Sequence, residues 1–354
     1  MTEHLLALST HAYYAGELDA GRRSCERLLS MGIEEGLAWQ VRANRTFYCQ
    51  SIDDLADVTF RRFDCEPAHD GWSLFNPTIL HHDGQLLAIV RSSNYRIVDG
   101  QYVMPDEDRG VIRTENILCR LSPALFVESA KVIETAAYPK TNYPVDGLED
   151  VRLRHTESGV GVSATVRNVA PFDGRCRIAT ADLDLEHARL VNLRVLSSLQ
   201  LQEHEKNWMP LEGCGGWLYS CQHNGHTVTV DPDKASPGAY ILVQRAAAPP
   251  IAREFRGGGQ VVSFGGGWLA IIHEVAHVHG RRAYEHRFVW LDERAEIKRV
   301  SPPFCFKEKQ AIEFAAGLAA FDGRVVVTFG VRDAEAWIAE LPGEDVQRML
   351  RDIG

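Results

Sequence analysis

The segment NPTILHHDGQLLAIVRSSN, Asn76 to Asn94, decides how this chain is read. Two apolar runs flank the turn pair Asp83-Gly84, which is the pattern of two antiparallel strands joined by a tight turn. The pattern recurs as EDVRLRHTESGVGVSATVRN from Glu149, KNWMPLEGCGGWLYSCQHN from Lys206, GGQVVSFGGGWLAIIHEV from Gly258 and EFAAGLAAFDGRVVVTFGVRD from Glu313. The copies begin about 50 to 75 residues apart, the range of propeller blades of four strands each. The expected fold is an all-β catalytic domain, a five-bladed β-propeller.

Hairpin geometry then says where chemistry can sit. The start of a hairpin's first strand and the end of its second lie at one end. Asn76 with Arg91 and Asn94, Asp150 with Arg167 and Asn168, Lys206 with His223, Gln260 with Glu274, and Glu313 with Asp333 are therefore expected on one rim. If these are the inner strands, the polar sets converge on a central pocket, the usual form of a small-molecule site.

The rest of the chain frames this domain. Residues 1–56 carry helix formers at helical spacing, in LLALSTHAYYAGELDAGRRSCERLLSMGI and EEGLAWQVRANRTFYCQSI, and are expected to form a short N-terminal α-helical appendage. AYYAGELDAGRRSCERLL resembles a tetratricopeptide-like helix pair, too little for a solenoid but enough to cap the propeller, pair two copies or dock a protein partner. Residues 57–354 are expected to hold the propeller, with AEAWIAELPGEDVQRMLRDIG closing it as a C-terminal helix. Apolar residues at 45%, charged residues at 24% and a formal charge of −10 disfavour a general nucleic-acid or anionic-membrane binder. The start MTEHLLALSTHAYY lacks a basic, then apolar, export signal and no run reaches membrane-span length, so a cytoplasmic location is expected. Eight cysteines without a CxxC pair read as reduced, mostly buried thiols. No cofactor and no metal are expected.

Individual motifs sharpen the site. GLEDVRL places Asp150 and Arg152 on one strand face with Glu149 pointing the other way, so that one carboxylate beside a guanidinium could act as acid or base, or could simply fix the blade. EKNWMP adds Lys206, Asn207 and Trp208, where the indole is a sugar platform or a core residue. HEVAH, His273 to His277, has the spacing of a zinc peptidase, but GGGWLAIIHEV puts it on a strand, where that spacing loses its meaning, and leaves His273 or Glu274 a polar role facing the pocket. In RRAYEHRFVWLD, alternation puts Tyr284 and His286 on one face and Glu285 and Arg287 on the other, so only one pair can readily face the site.

GLEDVRL, EKNWMP, the GWLY at Gly216 followed by His223, and the final FGVRD resemble, in order, the motifs of the β-propeller superfamily of mannoside phosphorylases (glycoside hydrolase family 130-like) and related β-mannosyltransferases, with Val151 where that family usually has Pro. The resemblance spans about Thr59 to Trp337. HRFVWLD, SPPFCF and IEFAAGLA look like a subgroup with helical segments ahead of the propeller. The resemblance implies inverting glycosyl transfer, with Asp150 as the catalytic carboxylate. It further implies that Asn76, Arg91, Asn94, Trp208 and Asp333 hold sugar, and that Arg167, Lys206, His223 and Arg287 neutralise a phosphate or nucleoside diphosphate; Arg152 and Glu274 are expected from their strand positions to join the substrate-binding residues. The leading expectation is a glycosyltransferase moving a mannosyl-type unit from a nucleotide sugar or sugar 1-phosphate to a glycan. The alternatives are a β-mannoside phosphorylase or hydrolase, a non-catalytic glycan-binding propeller, and the zinc peptidase.

Overall fold

The structure, a computed structural model, describes residues 1–98, 100–135, 137–169, 173–196, 202–213, 216–231 and 242–353. Each quoted segment forms an antiparallel hairpin. Ser73–His82 pairs with Gln85–Ser93, Glu149–Thr156 with Gly159–Val166, Met209–Pro210 with Trp217–His223, Val262–Phe264 with Gly267–Val278, and Glu313–Phe321 with Arg324–Val331. The turns explain the pairing. Asp83-Gly84 and Asp322-Gly323, and likewise Asn224-Gly225 where Trp217–His223 turns on into His226–Asp231, hold both residues at positive φ, the type I′ geometry whose twist matches that of the strands it joins.

These hairpins build a propeller-like arrangement. Four sheets have blade dimensions, two of five strands and two of four, each with the first strand of its hairpin at one edge of the sheet. The expectation of five such blades is corrected here. Where the fourth repeat lies, the chain makes an eight-stranded sheet, because Gly267–Val278 and Arg281–Leu291 are 12 and 11 residues long and overrun a blade. The surplus length is paired by Arg256–Gly257 and by Phe304–Cys305, and Gln50–Ser51 joins Phe304–Cys305 in parallel.

The ring closes through the chain's own ends. Thr59–Arg62 pairs with Glu335–Pro342, so a strand preceding the first repeat completes the last sheet, and Arg351–Asp352 joins the eight-stranded sheet through Ile297–Val300. AEAWIAELP, expected as helix, is thus mostly strand. A partner on each side offers it two hydrogen-bonded ladders, and only the seven residues of Gly343–Met349 are helical.

Three helices precede the sheets, α1 (Thr2–Tyr14), α2 (Leu18–Ser30) and α3 (Glu35–Arg45). In α2 the buried Gly21, Ser24, Cys25, Leu28 and Leu29 fall at helical spacing, and a side chain at Gly21 would overlap the Tyr48 ring. α3 starts where the Glu34 carboxylate accepts the Leu37 amide at 2.8 Å. Cys25, Leu28 and Val41 share one apolar cluster with Ala270, Ile272, Val289 and Leu291 of the eight-stranded sheet. None of the described helices is long and apolar enough to cross a membrane. The seven described cysteines are free, six of them buried, and Cys214 lies outside the described residues.

Candidate active site

The starts of the inner strands are not regular. The register shifts between Phe75 and Thr78 in the first hairpin and between Glu149 and Arg152 in the second, and Asn76, Asp150 and Asn207 have φ of 48°, 47° and 60°. A bulge with a residue in the left-handed region re-aims its side chain and costs strain, a combination that collects at functional sites.

Here it brings residues from separate blades together. The Asp150 side chain, 22% exposed, receives at one oxygen the Asn76 amide at 2.9 Å and Nη1 of Arg91 at 3.0 Å. Arg91 also donates to Thr114 Oγ1 at 3.3 Å, reaches Glu149 Oε2 at 3.8 Å, and lies 4.9 Å over the Phe75 ring. Next to it the Tyr95 hydroxyl donates to Asp333 Oδ2 at 2.9 Å. Asn76, Arg91, Asp150 and Asp333, drawn from three repeats, thus meet in one place. The bulge also breaks strand alternation, so Glu149 does not point away as expected but shares the Arg91 guanidinium.

Arg152 sits beneath this group, 1% exposed. Its donors go to Gly258 O at 2.6 Å, to the Asp150 carbonyl at 2.9 Å and to Asn207 Oδ1 at 3.4 Å, so it pins the backbone that carries Asp150 rather than lining the pocket.

Burial and charge separate the three carboxyls. Burial alone would raise Asp150, but Arg91, Arg152 and the Asn76 hydrogen bond outweigh it and hold the carboxyl below the ordinary aspartate value. Glu149 and Asp333 are shifted upward. In both, burial dominates, and the charge of Asp150 adds to it against the pull of Arg91. Neighbouring acids pushed apart in this way are the raw material of acid–base chemistry.

Cations stand around the same carboxyls. Lys206 is exposed and within electrostatic reach of Glu149, as is Arg167, which donates to the Tyr143 hydroxyl at 2.8 Å and to Gly174 O at 3.0 Å. Arg282 lies within electrostatic reach of Asp333, while Arg256 lies farther round, within reach of Tyr284 and His273.

Other expected residues are placed elsewhere. Glu274 and Arg287 are buried on the helix-facing side of the eight-stranded sheet. Arg287 donates to Glu274 at 2.7 Å and, with two nitrogens, to Glu26 of α2 at 2.7 Å each. Alternation had left the choice of face open, and α2 and α3 claim the face that carries Glu285 and Arg287. On the opposite face His273 stacks on Tyr284 with ring centroids 5.1 Å apart, and HEVAH is strand throughout, so the helical presentation of a zinc pair is absent. Asn94 is consumed by Val111 O and by the Arg113 amide. Trp208 is 1% exposed, packs edge-on to Tyr219 and donates to Glu205, which makes it core rather than platform. His223 is half-buried beside the Asn224-Gly225 turn, against the Asn224 amide.

Sequence reasoning passed over Tyr95, Arg256 and Arg282. Reading one residue past Asn94 would have reached Tyr95, and stepping two back from Tyr284 along the strand reaches Arg282 on the same face.

No family model and no curated protein matches the chain. Among solved structures, the fold is similar to that of a structure reported under the statement that the GH130 family of mannoside phosphorylases contains glycoside hydrolases targeting β-1,2 mannosidic linkages in Candida mannan. That match has a TM-score of 0.51 and 14% identity, covering 82% of this chain and 96% of that one. A glycosyl hydrolase from Bacteroides ovatus matches with a TM-score of 0.51 and 12% identity, over 81% of this chain and 94% of that one. A β-1,2-mannobiose phosphorylase from Listeria innocua matches with a TM-score of 0.49 and 13% identity, over 82% and 99%. At these identities the likeness is one of fold.

Proposed function

We propose that this chain is a carbohydrate-active enzyme of the inverting β-mannoside phosphorylase type, joining a mannosyl unit to a sugar hydroxyl at the expense of a sugar 1-phosphate and running reversibly. The observation that carries the reading is Asp150, held by Asn76 and Arg91 with its carboxyl kept below the ordinary value. An ionised carboxylate is charged to accept the acceptor hydroxyl's proton, directly or through a sugar hydroxyl, as that oxygen bonds to the anomeric carbon and phosphate leaves from the opposite face. In reverse, phosphate is already a competent nucleophile, so one carboxyl serving the glycosidic oxygen suffices. Lys206, Arg167, Arg256 and Arg282 are the cations available to phosphate, and fixed charge aimed at a departing group is worth about 2.7–4 kcal/mol. Asp333 and Arg91, which stand beside Asp150, are the groups this reading assigns to the sugar.

The named activities of the similar folds favour phosphorolysis or hydrolysis over transfer from a nucleotide sugar. Hydrolysis is the second reading, favoured by the convergence of Glu149 and Asp333 on the Asp150 site, since an inverting hydrolase needs a second carboxylate to activate water. Phosphorus NMR of the purified chain with mannose 1-phosphate and mannoside acceptors separates the two. Inorganic phosphate released only with acceptor, and reversed by excess phosphate, supports the phosphorylase. Mannose release from mannobiose without phosphate supports the hydrolase, and GDP release from GDP-mannose would return the reading to nucleotide-sugar transfer.

A further inference from the structure

A cavity of about 680 Å³ opens beside the Asp150 group, within the range of ligand sites. It adjoins that group directly. Thr114, which bonds Arg91, and Gly147, three residues before Asp150, both line it. Two aromatic residues line it, Trp72 and Tyr138, both half-buried, and Lys140 Nζ lies 5.0 Å over one face of the Tyr138 ring, leaving the other for a ligand. His69 packs on Trp72 with centroids 4.5 Å apart and is tied to Glu115 at 2.8 Å, which fixes the indole from one side. Tyr138 is fixed through its hydroxyl, which donates to Asn168 at 3.1 Å, and Asn168 in turn donates to Asp146 at 2.8 Å. Among the described lining residues, Asp70, Glu107, Asp108, Glu115 and Asp146 stand against only two cations, Arg113 and Lys140.

From this we infer that the cavity is a subsite for a neutral oligosaccharide, holding acceptor units beyond the one that reacts at Asp150. Fixed aromatic faces suit the apolar faces of pyranose rings, and planar carboxylates accept their hydroxyls. The excess of carboxylates repels a phosphate or a nucleoside diphosphate, which belongs with the cations around Glu149 instead. The site therefore divides by charge, with phosphate toward Lys206 and Arg167 and glycan toward Trp72 and Tyr138. This inference rests on the proposed mannoside chemistry for the identity of the sugar, but not for the existence of the subsite.

Isothermal titration of the full chain with neutral β-mannooligosaccharides, from disaccharide to tetrasaccharide, tests it. Affinity should rise with length, and Trp72→Ala and Tyr138→Ala, each with an unchanged circular dichroism spectrum, should each remove about tenfold of that gain, the worth of one ring contact. Equal affinity at every length, or a gain that survives both variants, overturns the subsite even if the disaccharide is turned over. Trp72-dependent binding of gluco-oligosaccharides with no binding of mannosides would keep the subsite and sink the mannoside reading. Trp72-dependent binding of GDP-mannose would overturn the division by charge.

Discussion

At the scale of single residues, the central feature is a carboxylate on a strained backbone. Asp150 at φ 47° is held by Arg152 from beneath and by Asn76, itself at φ 48°, from the side. Gly330, in the FGVRD segment, leaves the space the Asn76 side chain fills, for a Cβ there would overlap the Asn76 amide. Gly330→Ala is therefore expected to displace Asn76 at both side chain and backbone, lowering kcat about tenfold and, through overpacking, stability by about 1–3 kcal/mol, which steady-state kinetics and denaturant unfolding would check. Asn76→Ala removes one of the interactions that depress Asp150, so its carboxyl should rise. In the synthetic direction the base must be ionised, so activity is lost as pH falls through that value. The acid limb of the pH–rate profile should accordingly move to higher pH in Asn76→Ala, and an unmoved limb would mean that Asp150 is not the titrating group.

At the scale of elements, the hairpins were legible because period-two patterning and turn pairs such as Asp83-Gly84 are local signals. What was not legible was which face of a strand the helices would take. In the hairpin of Gly267–Val278 and Arg281–Leu291, Glu274 stands directly opposite Glu285, a like-charge pair that is unfavourable alone. Arg45 of α3 resolves it by donating to Glu274 at 3.1 Å and to Glu285 at 2.8 Å and 2.5 Å, 240 residues away in sequence. Nothing in the local pattern of HEVAH or YEHRF announces that partner, which is why Glu274 and Arg287 read as pocket residues. Trp208 and Asn94 misled for a related reason: each stands where a hairpin end should open to the pocket, but neighbouring elements consume it.

The network makes two predictions. Arg45→Met should cost about 3–5 kcal/mol by leaving buried charge unpaired, measured by denaturant unfolding, and adding Glu285→Gln should restore part of it. Glu274 is also held down, to about 2 from 4.5, because Arg45 and Arg287 outweigh its burial. A depressed carboxyl contributes stability that is present above its unfolded value and lost as pH falls, so Glu274 should contribute to acid lability between about pH 4.5 and 2. Glu285, raised by burial, opposes this in the same region. His286, buried and lowered to about 3 from 6.5, follows the same sign as Glu274 and should make stability decline from about pH 6.5 downward. Unfolding free energy measured against pH should show both declines, with the lower one reduced in Glu274→Gln and the upper one in His286→Phe.

At the scale of the whole molecule, the chain is tied at both ends. Thr59–Arg62 supplies the outer strand of the last sheet, while α2, α3 and Gln50–Ser51 pack on or pair within the eight-stranded one. The repeat period was legible in the sequence, but the enlargement of one sheet was not, since the strand overrun is paired by Arg256–Gly257 and Phe304–Cys305, and segments from positions 50 and 351 then add to the sheet through Phe304–Cys305 and Ile297–Val300. In this arrangement Asn76 and Arg91 of the first repeat, Asp150 of the second and Asp333 of the last come together, and Asp150 is the carboxylate proposed to work there. The measurement that tests that role most directly is acceptor-dependent phosphate release from mannose 1-phosphate by the wild-type chain and by Asp150→Asn, with mannoside binding to each measured in parallel. A loss of about 10²–10⁴-fold in rate with binding preserved within a few fold is the predicted result. Turnover by Asp150→Asn within tenfold of wild type would contradict it.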